Sequence, residues 1–345
     1  MYGSFIYNDF KGDLYWIRDQ IQGEVPFFPD SIKPLLNHYI KKRLIIIPSN
    51  EKTYARTFDY ELGRPVPYAT FWFAHAFGLK DKTVIRRLGL GLIYSSLSTT
   101  IRDDIIDGEG LPNPERTQLL NYYNNKYLEI FNDLFSPESP FWFHLSKGIL
   151  ETSRYEHWNL FFNSNTDVNP FSEQFLSESS RYFTAVVMPT LVALAILTEN
   201  AEGIEAVYKF LQNFSMGWRI YDDLCDWRKD LTKAQLNHNS ILLYTKQKIQ
   251  ELTELNENSV GLMFVDKDFI SDSYGAILGF FENAQRDVSK LNNKYLDKFM
   301  EEQISFHTKR RDIIYQKADE LNSRFFEQLK NILTKKSNVS LELDL

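Results

Sequence analysis

The stretch Tyr221-Asp-Asp-Leu-Cys-Asp-Trp-Arg-Lys-Asp230 lies late in a run of apolar residues at helical spacing that starts near Glu202. Because a helix turns once every 3.6 residues, Asp222, Asp226 and Asp230 fall on one face. Like charges at this spacing destabilise an isolated helix by about 0.2 to 0.5 kcal/mol per pair, and Asp has a low helix propensity. A bound cation would compensate both effects, so the stretch predicts an acidic metal-binding face on a helix.

A second acidic stretch, Ile101-Arg-Asp-Asp-Ile-Ile-Asp-Gly-Glu109, ends the helical run that begins near Thr83. One acidic run is most often a solvated helix face. Two such runs at the ends of apolar helices instead favour two acidic rims on one apolar cavity. Carboxylates without His or Cys select hard cations, and a few carboxylates with room for water and phosphate oxygens suit Mg²⁺. We therefore expect a shared Mg²⁺ site formed by Asp103, Asp104, Asp107, Asp222 and Asp226.

Helical spacing of apolar residues continues outward from both stretches, from about residue 65 to residue 333. Turn-forming clusters divide this region into helices of about twenty residues, and alternating patterns typical of strands are scarce. We predict an all-α, single-domain helical bundle over residues 61–333. Several prolines interrupt residues 1–60, for which we predict irregular structure with one short helix. Residues 334–345 lack an apolar face and are predicted to fray.

Composition and charge limit the classes of function. With 345 residues, 43% of them hydrophobic, the chain can bury a large core. The formal net charge is -7 and no stripe of Lys and Arg stands out, so no nucleic-acid partner is expected. The single cysteine, Cys225, and the lack of a signal-like start favour a reducing, cytoplasmic setting. The longest apolar stretch, Thr184–Thr198, is shorter than the roughly 20 residues of a membrane span, so we expect a buried helix and no membrane span.

The two acidic stretches resemble, in sequence and order, the aspartate-rich motifs of class I isoprenoid enzymes, the superfamily of trans-prenyl diphosphate synthases and class I terpene synthases. Ser96–Asp107 is similar to the first motif and Gly217–Asp226 to the second, and the resemblance extends from Gly63 to Tyr315. It implies a helical bundle of the class I terpenoid synthase type around a central cavity, where three Mg²⁺ ions join both motifs to the diphosphate of a prenyl substrate. The metal ligands that it implies are Asp103, Asp104, Asp107, Asp222, Asp226 and Asp230.

The resemblance also implies which cationic residues contact the diphosphate. Arg181 precedes the second motif at the distance where the superfamily keeps a basic contact, and Lys229 stands beside the last carboxylate of that motif. Near the C-terminus, Arg310, Arg311 and Tyr315 resemble contacts that close over the diphosphate, with a solvated basic face as the alternative. The predicted catalytic residues are Asp103, Asp104, Asp107, Arg181, Asp222 and Asp226.

Departures from the prenyl-synthase pattern decide the predicted subclass. The basic segment for isopentenyl diphosphate is reduced to Leu62-Gly-Arg-Pro65, and a single Arg116 follows the first motif where prenyl synthases have an arginine pair. A second diphosphate would therefore lack charge-assisted contacts. We predict a terpene synthase that ionises and cyclises one allylic prenyl diphosphate. The alternatives are a chain-elongating prenyl diphosphate synthase, a head-to-head condensing enzyme and a non-catalytic helical partner subunit, and a homodimer remains open.

The residues before the first motif predict the substrate length. In prenyl synthases the side chains four and five positions ahead of the motif limit the cavity depth, and here these are Thr99 and Ser98, with Ser95 and Ser96 below. Since all four are small, a C20 or longer diphosphate is expected to be preferred, with C15 also accepted. The alternative is that a bulky residue from another helix closes the cavity. Aromatic residues, 15% of the chain, are candidates to stabilise a carbocation, although core packing is the commoner role of any one ring.

Overall fold

The computed structural model describes residues 4–44, 66–106, 114–161, 169–232, 239–248 and 255–341. These ranges form thirteen α-helices and one short 3-10 helix, and contain no strand, which confirms the all-α prediction. In chain order the elements are α1 (Ser4–Glu24), the 3-10 helix (Val25–Phe27), α2 (Lys33–Leu44), α3 (Val66–Ala76), α4 (Lys82–Ile106), α5 (Pro114–Leu134), α6 (Phe141–Phe161), α7 (Glu173–Ser179), α8 (Arg181–Leu197), α9 (Ala201–Thr232), α10 (Ser240–Lys248), α11 (Glu257–Met263), α12 (Lys267–Ser289) and α13 (Lys294–Leu341).

Side-chain caps set where several helices begin. Five residues each accept a hydrogen bond at 2.8 to 3.0 Å from a backbone N–H in the first turn of the helix that follows. Asp and Asn are favoured at this position because their side-chain oxygens satisfy N–H groups that have no partner inside the helix. The five caps are Asp81 of α4, Asn239 of α10, Asn256 of α11, Asp266 of α12 and Asn293 of α13.

The N-terminal region is more helical than the sequence predicted. Helices α1 and α2 occupy most of residues 4–44, where we expected irregular structure with one short helix. Proline breaks a helix interior, but Pro26 lies in the 3-10 helix and Pro34 is the second residue of α2, where a missing N–H costs little. Residues 45–65 lie outside the described ranges. At the other end, α13 continues to Leu341, past residue 334 where fraying was predicted, and residues 342–345 are not described.

The chain divides into two compact units, each assembled from separate stretches. Unit 1 comprises Met1–Trp158, Ser180–Ser215 and Asn283–Gln303. Unit 2 comprises Asn159–Ser179, Met216–Glu282 and Ile304–Leu345. Because the stretches of the two units alternate along the chain, no single boundary in the sequence separates them.

In unit 1 the buried body of α4 supports the first acidic stretch, which lies at the C-terminal end of this helix. Leu88, Leu92 and Leu97 are fully buried, and a Cβ on Gly91 would lie 3.5 Å from Ile130 of α5. The apolar stretch from residue 184 forms the buried part of α8, as predicted. Among the described helices none is by itself long and apolar enough to cross a membrane, and only α7 and α8 taken together meet those criteria.

In unit 2 an aromatic core supports the second half of α9. Trp227 of α9 and Phe269 of α12 both lie against Phe264, with ring centroids 6.0 and 5.4 Å away. Tyr244 of α10 packs on Phe269 at 5.3 Å. This packing fixes the helix that carries the second acidic stretch against α10 and α12.

Candidate functional site

The four carboxylates of the second acidic stretch, all on α9, have different surroundings. Asp223 is 2% exposed, and its Oδ1 lies 3.0 Å from Nη2 of Arg219, one turn earlier on the same helix. Its Oδ2 accepts a hydrogen bond of 2.7 Å from the backbone N–H of Ser240. Burial raises the pKa of Asp223 to about 7, although Arg219 and the Ser240 bond act in the opposite direction. Both oxygens of the Asp223 carboxylate therefore have protein partners, and the bond from Ser240 ties α9 to the start of α10.

Asn239 ties two of these carboxylate residues to the start of α10. Its Nδ2 donates to the backbone carbonyl of Asp223 at 3.1 Å and to Oδ2 of Asp230 at 2.8 Å. Its Oδ1 caps α10 by accepting from the N–H groups of Ile241 and Leu242. Burial raises the pKa of Asp230, and the bond from Asn239 lowers it. Asp230 was predicted to be the last metal ligand of the motif, and the structure gives its carboxylate a protein partner.

Asp222 and Asp226 form the other pair. They lie one turn apart, Asp226 is exposed and Asp222 is half-buried. The Cys225 thiol lies close to both: partial burial raises its pKa and the two carboxylates raise it further. Lys229, one turn after Asp226 along α9, is exposed. The pair presents carboxylate oxygens on the part of α9 that reaches solvent.

Arg310 of α13 lies near Cys225, the residue that precedes Asp226. Its positive charge acts on the Cys225 thiol and on the hydroxyl groups of Tyr221 and Tyr274. Burial raises the pKa of Tyr274 to about 12, while Arg310, which hydrogen-bonds that hydroxyl, lowers it. The structure therefore places Arg310 near a residue of the second acidic stretch, and its predicted contact with a diphosphate stays a prediction. Tyr274, on α12, has no sequence motif around it and was missed.

The other two residues predicted on α13 have different neighbours. Arg311 pairs with Asp312, the next residue, with its Nη2 3.0 Å from the carboxylate. The Tyr315 hydroxyl donates to the backbone carbonyl of Lys267 at 3.3 Å. Their contact with a diphosphate stays a prediction, and of the three residues only Arg310 lies among groups of the second acidic stretch.

The first acidic stretch belongs to unit 1 and ends α4. Asp103 is exposed, whereas Asp104 is 6% exposed and lies near Tyr39 of α2. Burial first, and the Asp104 carboxylate second, raise the pKa of Tyr39 to about 12, and Arg116 of α5 lowers it. Arg116, the single arginine after the first motif, thus lies with Tyr39, a residue that the sequence did not single out. Asp107 and residues 62–65 lie outside the described ranges.

Arg181 is the first residue of α8 and pairs with a carboxylate of α6. Its Nη1 donates to Glu151, and both side chains are mostly buried. Arg154 also approaches Glu151, at 3.3 Å. The sequence assigned Arg181 to a diphosphate, and this role stays a prediction, because in the structure Glu151 is its anionic partner.

The donor groups of the second acidic stretch are compatible with Mg²⁺. Within the described residues no group of three or more His, Cys, Asp or Glu side chains is arranged to hold a metal ion. Mg²⁺ usually keeps several waters and binds proteins through one or two carboxylates together with substrate phosphates. Asp222 and Asp226 supply two oxygen ligands of this kind. The site shared with the first stretch stays a prediction.

Comparison with known proteins gives the fold. No protein-family model and no curated protein matches the chain. A polyprenyl synthase from Roseobacter denitrificans is 13% identical with a TM-score of 0.55, over 86% of this chain and 99% of that chain. A putative geranylgeranyl pyrophosphate synthase from Corynebacterium glutamicum is 10% identical with a TM-score of 0.55, over 88% and 96%. A polyprenyl synthase from Caulobacter crescentus, complexed with calcium and isoprenyl diphosphate, is 14% identical with a TM-score of 0.54, over 87% and 98%.

These similarities cover nearly the whole length of the solved structures. They agree with the resemblance that the two aspartate-rich stretches indicated, and they extend it to the helical architecture around those stretches. The chain has the all-helical fold of these three synthases.

Proposed function

We propose that this chain is a Mg²⁺-dependent class I terpene synthase, which ionises a linear allylic prenyl diphosphate, cyclises the carbocation and releases diphosphate. The observation that carries the proposal is that the four carboxylates of the second acidic stretch form two pairs with different surroundings. Asp223 and Asp230 are bonded to Arg219, Ser240 and Asn239. Asp222 and Asp226 lie one turn apart, and their charges and that of Arg310 all act on the Cys225 thiol between them. Carboxylates of the kind that bind Mg²⁺ and a cation of the kind that binds phosphate thus lie around one side chain, which supports the proposal.

To ionise an allylic diphosphate, the protein needs mainly to place positive charge next to the departing diphosphate. Mg²⁺ would neutralise the negative charge that grows on the departing diphosphate. Asp222 and Asp226 would hold the ion, and Arg310 would donate charge-assisted hydrogen bonds to the diphosphate oxygens. Tyr274 hydrogen-bonds Arg310 and so orients its guanidinium. The allylic C–O bond can then ionise without a nucleophile from the protein.

Divalent metal and prenyl diphosphate binding receive support from one structural relative. The Caulobacter polyprenyl synthase, which shares this fold, is complexed with calcium and isoprenyl diphosphate. We propose that the present chain binds the same class of ligand. Asp103, Asp104 and Asp107 of the first stretch would complete the set of carboxylates, with three Mg²⁺ ions as the family resemblance implies.

The second candidate function is chain elongation with isopentenyl diphosphate. It is favoured by the structural relatives, which are named polyprenyl and geranylgeranyl pyrophosphate synthases. Cyclisation is favoured by the sequence, which has a single Arg116 after the first motif instead of an arginine pair. In the structure Arg116 and the Asp104 carboxylate both lie near the hydroxyl group of Tyr39.

The substrate length is proposed to be C20 or longer, with C15 also accepted. Ser98 is buried and its hydroxyl donates to the carbonyl of Ser95. One turn below, Tyr127 of α5 hydrogen-bonds Ser95, so a bulky ring from another helix fills the space at that level. Ser98, rather than Ser95, is therefore the position at which cavity depth is best tested.

One incubation distinguishes the functions. The protein is given Mg²⁺ and C10, C15, C20 or C25 allylic diphosphates, with and without isopentenyl diphosphate, and the products are identified by mass spectrometry. Hydrocarbon formed without isopentenyl diphosphate supports the terpene synthase. Longer diphosphates formed only with isopentenyl diphosphate support elongation. No Mg²⁺-dependent diphosphate release and no Mg²⁺-dependent ligand binding would contradict both and favour a non-catalytic partner subunit.

A further inference from the structure

His307 of α13 is a buried imidazole in an unusual environment. Its side chain is 0% exposed, and neither ring nitrogen has a hydrogen-bond partner among the described residues. A neutral imidazole carries one N–H donor and one acceptor lone pair. Buried polar groups are nearly always hydrogen-bonded, and one left without a partner costs about 1 to 3 kcal/mol. Such a group needs an explanation, and a catalytic role is one of those recognised.

Aromatic rings surround this imidazole. The ring centroid of Tyr221 lies 4.5 Å away in an edge-on arrangement, and those of Phe281 and Phe306 lie 5.0 Å away. We call these three rings and His307 the aromatic box. Gly217 of α9 makes room for it, since a Cβ there would lie 2.9 Å from Phe281. Aromatic faces attract positive charge, by about 0.5 to 2 kcal/mol per ring.

The aromatic box adjoins the candidate site within unit 2. Tyr221 immediately precedes Asp222, the first carboxylate of the proposed metal pair. Arg310 follows His307 by one helical turn and lies near the hydroxyl of Tyr221. Burial first, and the charge of Arg310 second, lower the pKa of His307 to about 3. The imidazole is therefore neutral at pH 7 and retains its lone pair.

We propose that His307 accepts the proton that ends the carbocation reaction. The inference rests on the proposed function and adds a residue to it. A C–H bond on the carbon next to the cationic carbon breaks, and its electron pair becomes the new C=C bond. The proton bonds to the lone-pair nitrogen of His307. The imidazolium then passes this proton to an oxygen of the released diphosphate, which restores the neutral ring, so no other reactant is needed.

The test measures ionisation and proton loss separately in His307→Ala. The full chain is incubated with Mg²⁺ and C15 or C20 allylic diphosphate, with and without isopentenyl diphosphate. Released diphosphate reports ionisation, and mass spectrometry of the organic products reports where the proton is lost. Because ionisation precedes proton transfer, diphosphate release should stay within about threefold of wild type. The fraction of the main wild-type product should fall about tenfold, replaced by alcohols and other alkene isomers.

Added small rings separate a base from a space-filling side chain. Imidazole should restore the wild-type product composition of His307→Ala, whereas pyrrole, which has the same ring size but no basic nitrogen, should not. His144→Ala is the matched control. That ring lies in unit 1, 3.0 Å from the Tyr208 hydroxyl, and its removal should leave the product composition unchanged. If His307→Ala is insoluble, His307→Phe keeps the ring without the nitrogens and should show the same altered composition.

The outcomes distinguish this inference from the function on which it rests. Unchanged products in the His307 variants, or equal restoration by imidazole and pyrrole, would overturn the role of His307 while leaving the terpene synthase proposal intact. Wild-type protein that releases no diphosphate with Mg²⁺ from any substrate would overturn both.

Discussion

Replacement of Asn239 tests most directly whether Asp223 and Asp230, unlike Asp222 and Asp226, are held by bonds within the protein. The Asn239 side chain is fully buried and links α9 to α10 through four hydrogen bonds. Asn239→Ala removes the cap of α10. It also leaves the carbonyl of Asp223 and the carboxylate of Asp230 without their Nδ2 donor. The variant should therefore be much less stable than one that loses a cap alone.

The expected magnitude follows from these contacts. Loss of an N-cap costs about 1 kcal/mol. Loss of a hydrogen bond to a charged group costs about 1.5 to 3 kcal/mol, and loss of a neutral one about 1 kcal/mol. Because Asp230 is only half-buried, water replaces part of its lost bond. We expect the free energy of unfolding to fall by about 3 kcal/mol in Asn239→Ala.

Urea unfolding followed by circular dichroism measures this difference, and two further variants separate its parts. Asn256→Ala removes the exposed cap of α11 and should cost about 1 kcal/mol. Asn239→Ser keeps an oxygen for the cap but loses the Nδ2 donor, so its cost should lie between the two. If Asn239→Ala is no more destabilised than Asn256→Ala, the bonds to Asp223 and Asp230 contribute nothing and the grouping of the four carboxylates into two pairs is wrong.

Four further predictions concern activity, substrate and pH. Asp226→Asn should lower Mg²⁺-dependent diphosphate release by about 100-fold at an unchanged unfolding midpoint. Asp230→Asn should lower stability and reduce the rate by less than about tenfold. Similar rates in the two variants would refute the assignment of Asp226, rather than Asp230, to the metal. Arg181→Lys should lower diphosphate release about tenfold, a larger effect than the one on stability, because an ammonium does not replace a bidentate guanidinium. An unchanged rate would leave Arg181 with a structural role beside Glu151. Ser98→Phe should shift substrate preference toward shorter diphosphates in competition assays, at a packing cost of about 1 to 3 kcal/mol; an unchanged preference would contradict this view of the cavity floor. Since the pKa of His307 is about 3 in the folded protein and 6.5 is its ordinary value, only the unfolded chain takes up this proton as the pH falls below 6.5. The wild type should therefore lose about 2 kcal/mol of unfolding free energy through this group from about pH 7.5 to about pH 5. In urea titrations at the two pH values, His307→Phe should not show this loss of unfolding free energy. An equal loss in the wild type and the variant would refute the lowered pKa of His307.

The sequence predicted the helices that carry the acidic stretches because their signal is local. Apolar spacing and the i, i+4 carboxylates depend on residues within a few turns. The roles of the individual carboxylates could not be predicted in this way. Asp223 and Asp226 look equivalent along the chain, and Asn239, which distinguishes Asp230 from Asp226, comes after the helix has ended. Only the tertiary contacts decide which carboxylate is buried.

Two other differences have related physical causes. Pro26 and Pro34 suggested irregular structure, since proline interrupts a helix interior, but proline is well accommodated in a first turn, and only the position of the helix start separates the cases. Tyr274 and His307 carry no motif. Their environments arise from packing of α12 and α13 against α9, which no local pattern encodes.

The second acidic stretch contains both a residue that holds α9 in place and the two proposed metal ligands. This affects how variant libraries of this protein should be analysed. A screen that records only product would score Asp223, Arg219 and Asn239 alongside Asp222 and Asp226. The first three hold α9 in place, so their substitution should reduce the amount of soluble protein and the activity together. Substitution of Asp222 or Asp226 should reduce activity per molecule at normal abundance. A second measurement, of the amount of soluble protein in each clone, would therefore separate the residues that hold α9 in place from Asp222 and Asp226.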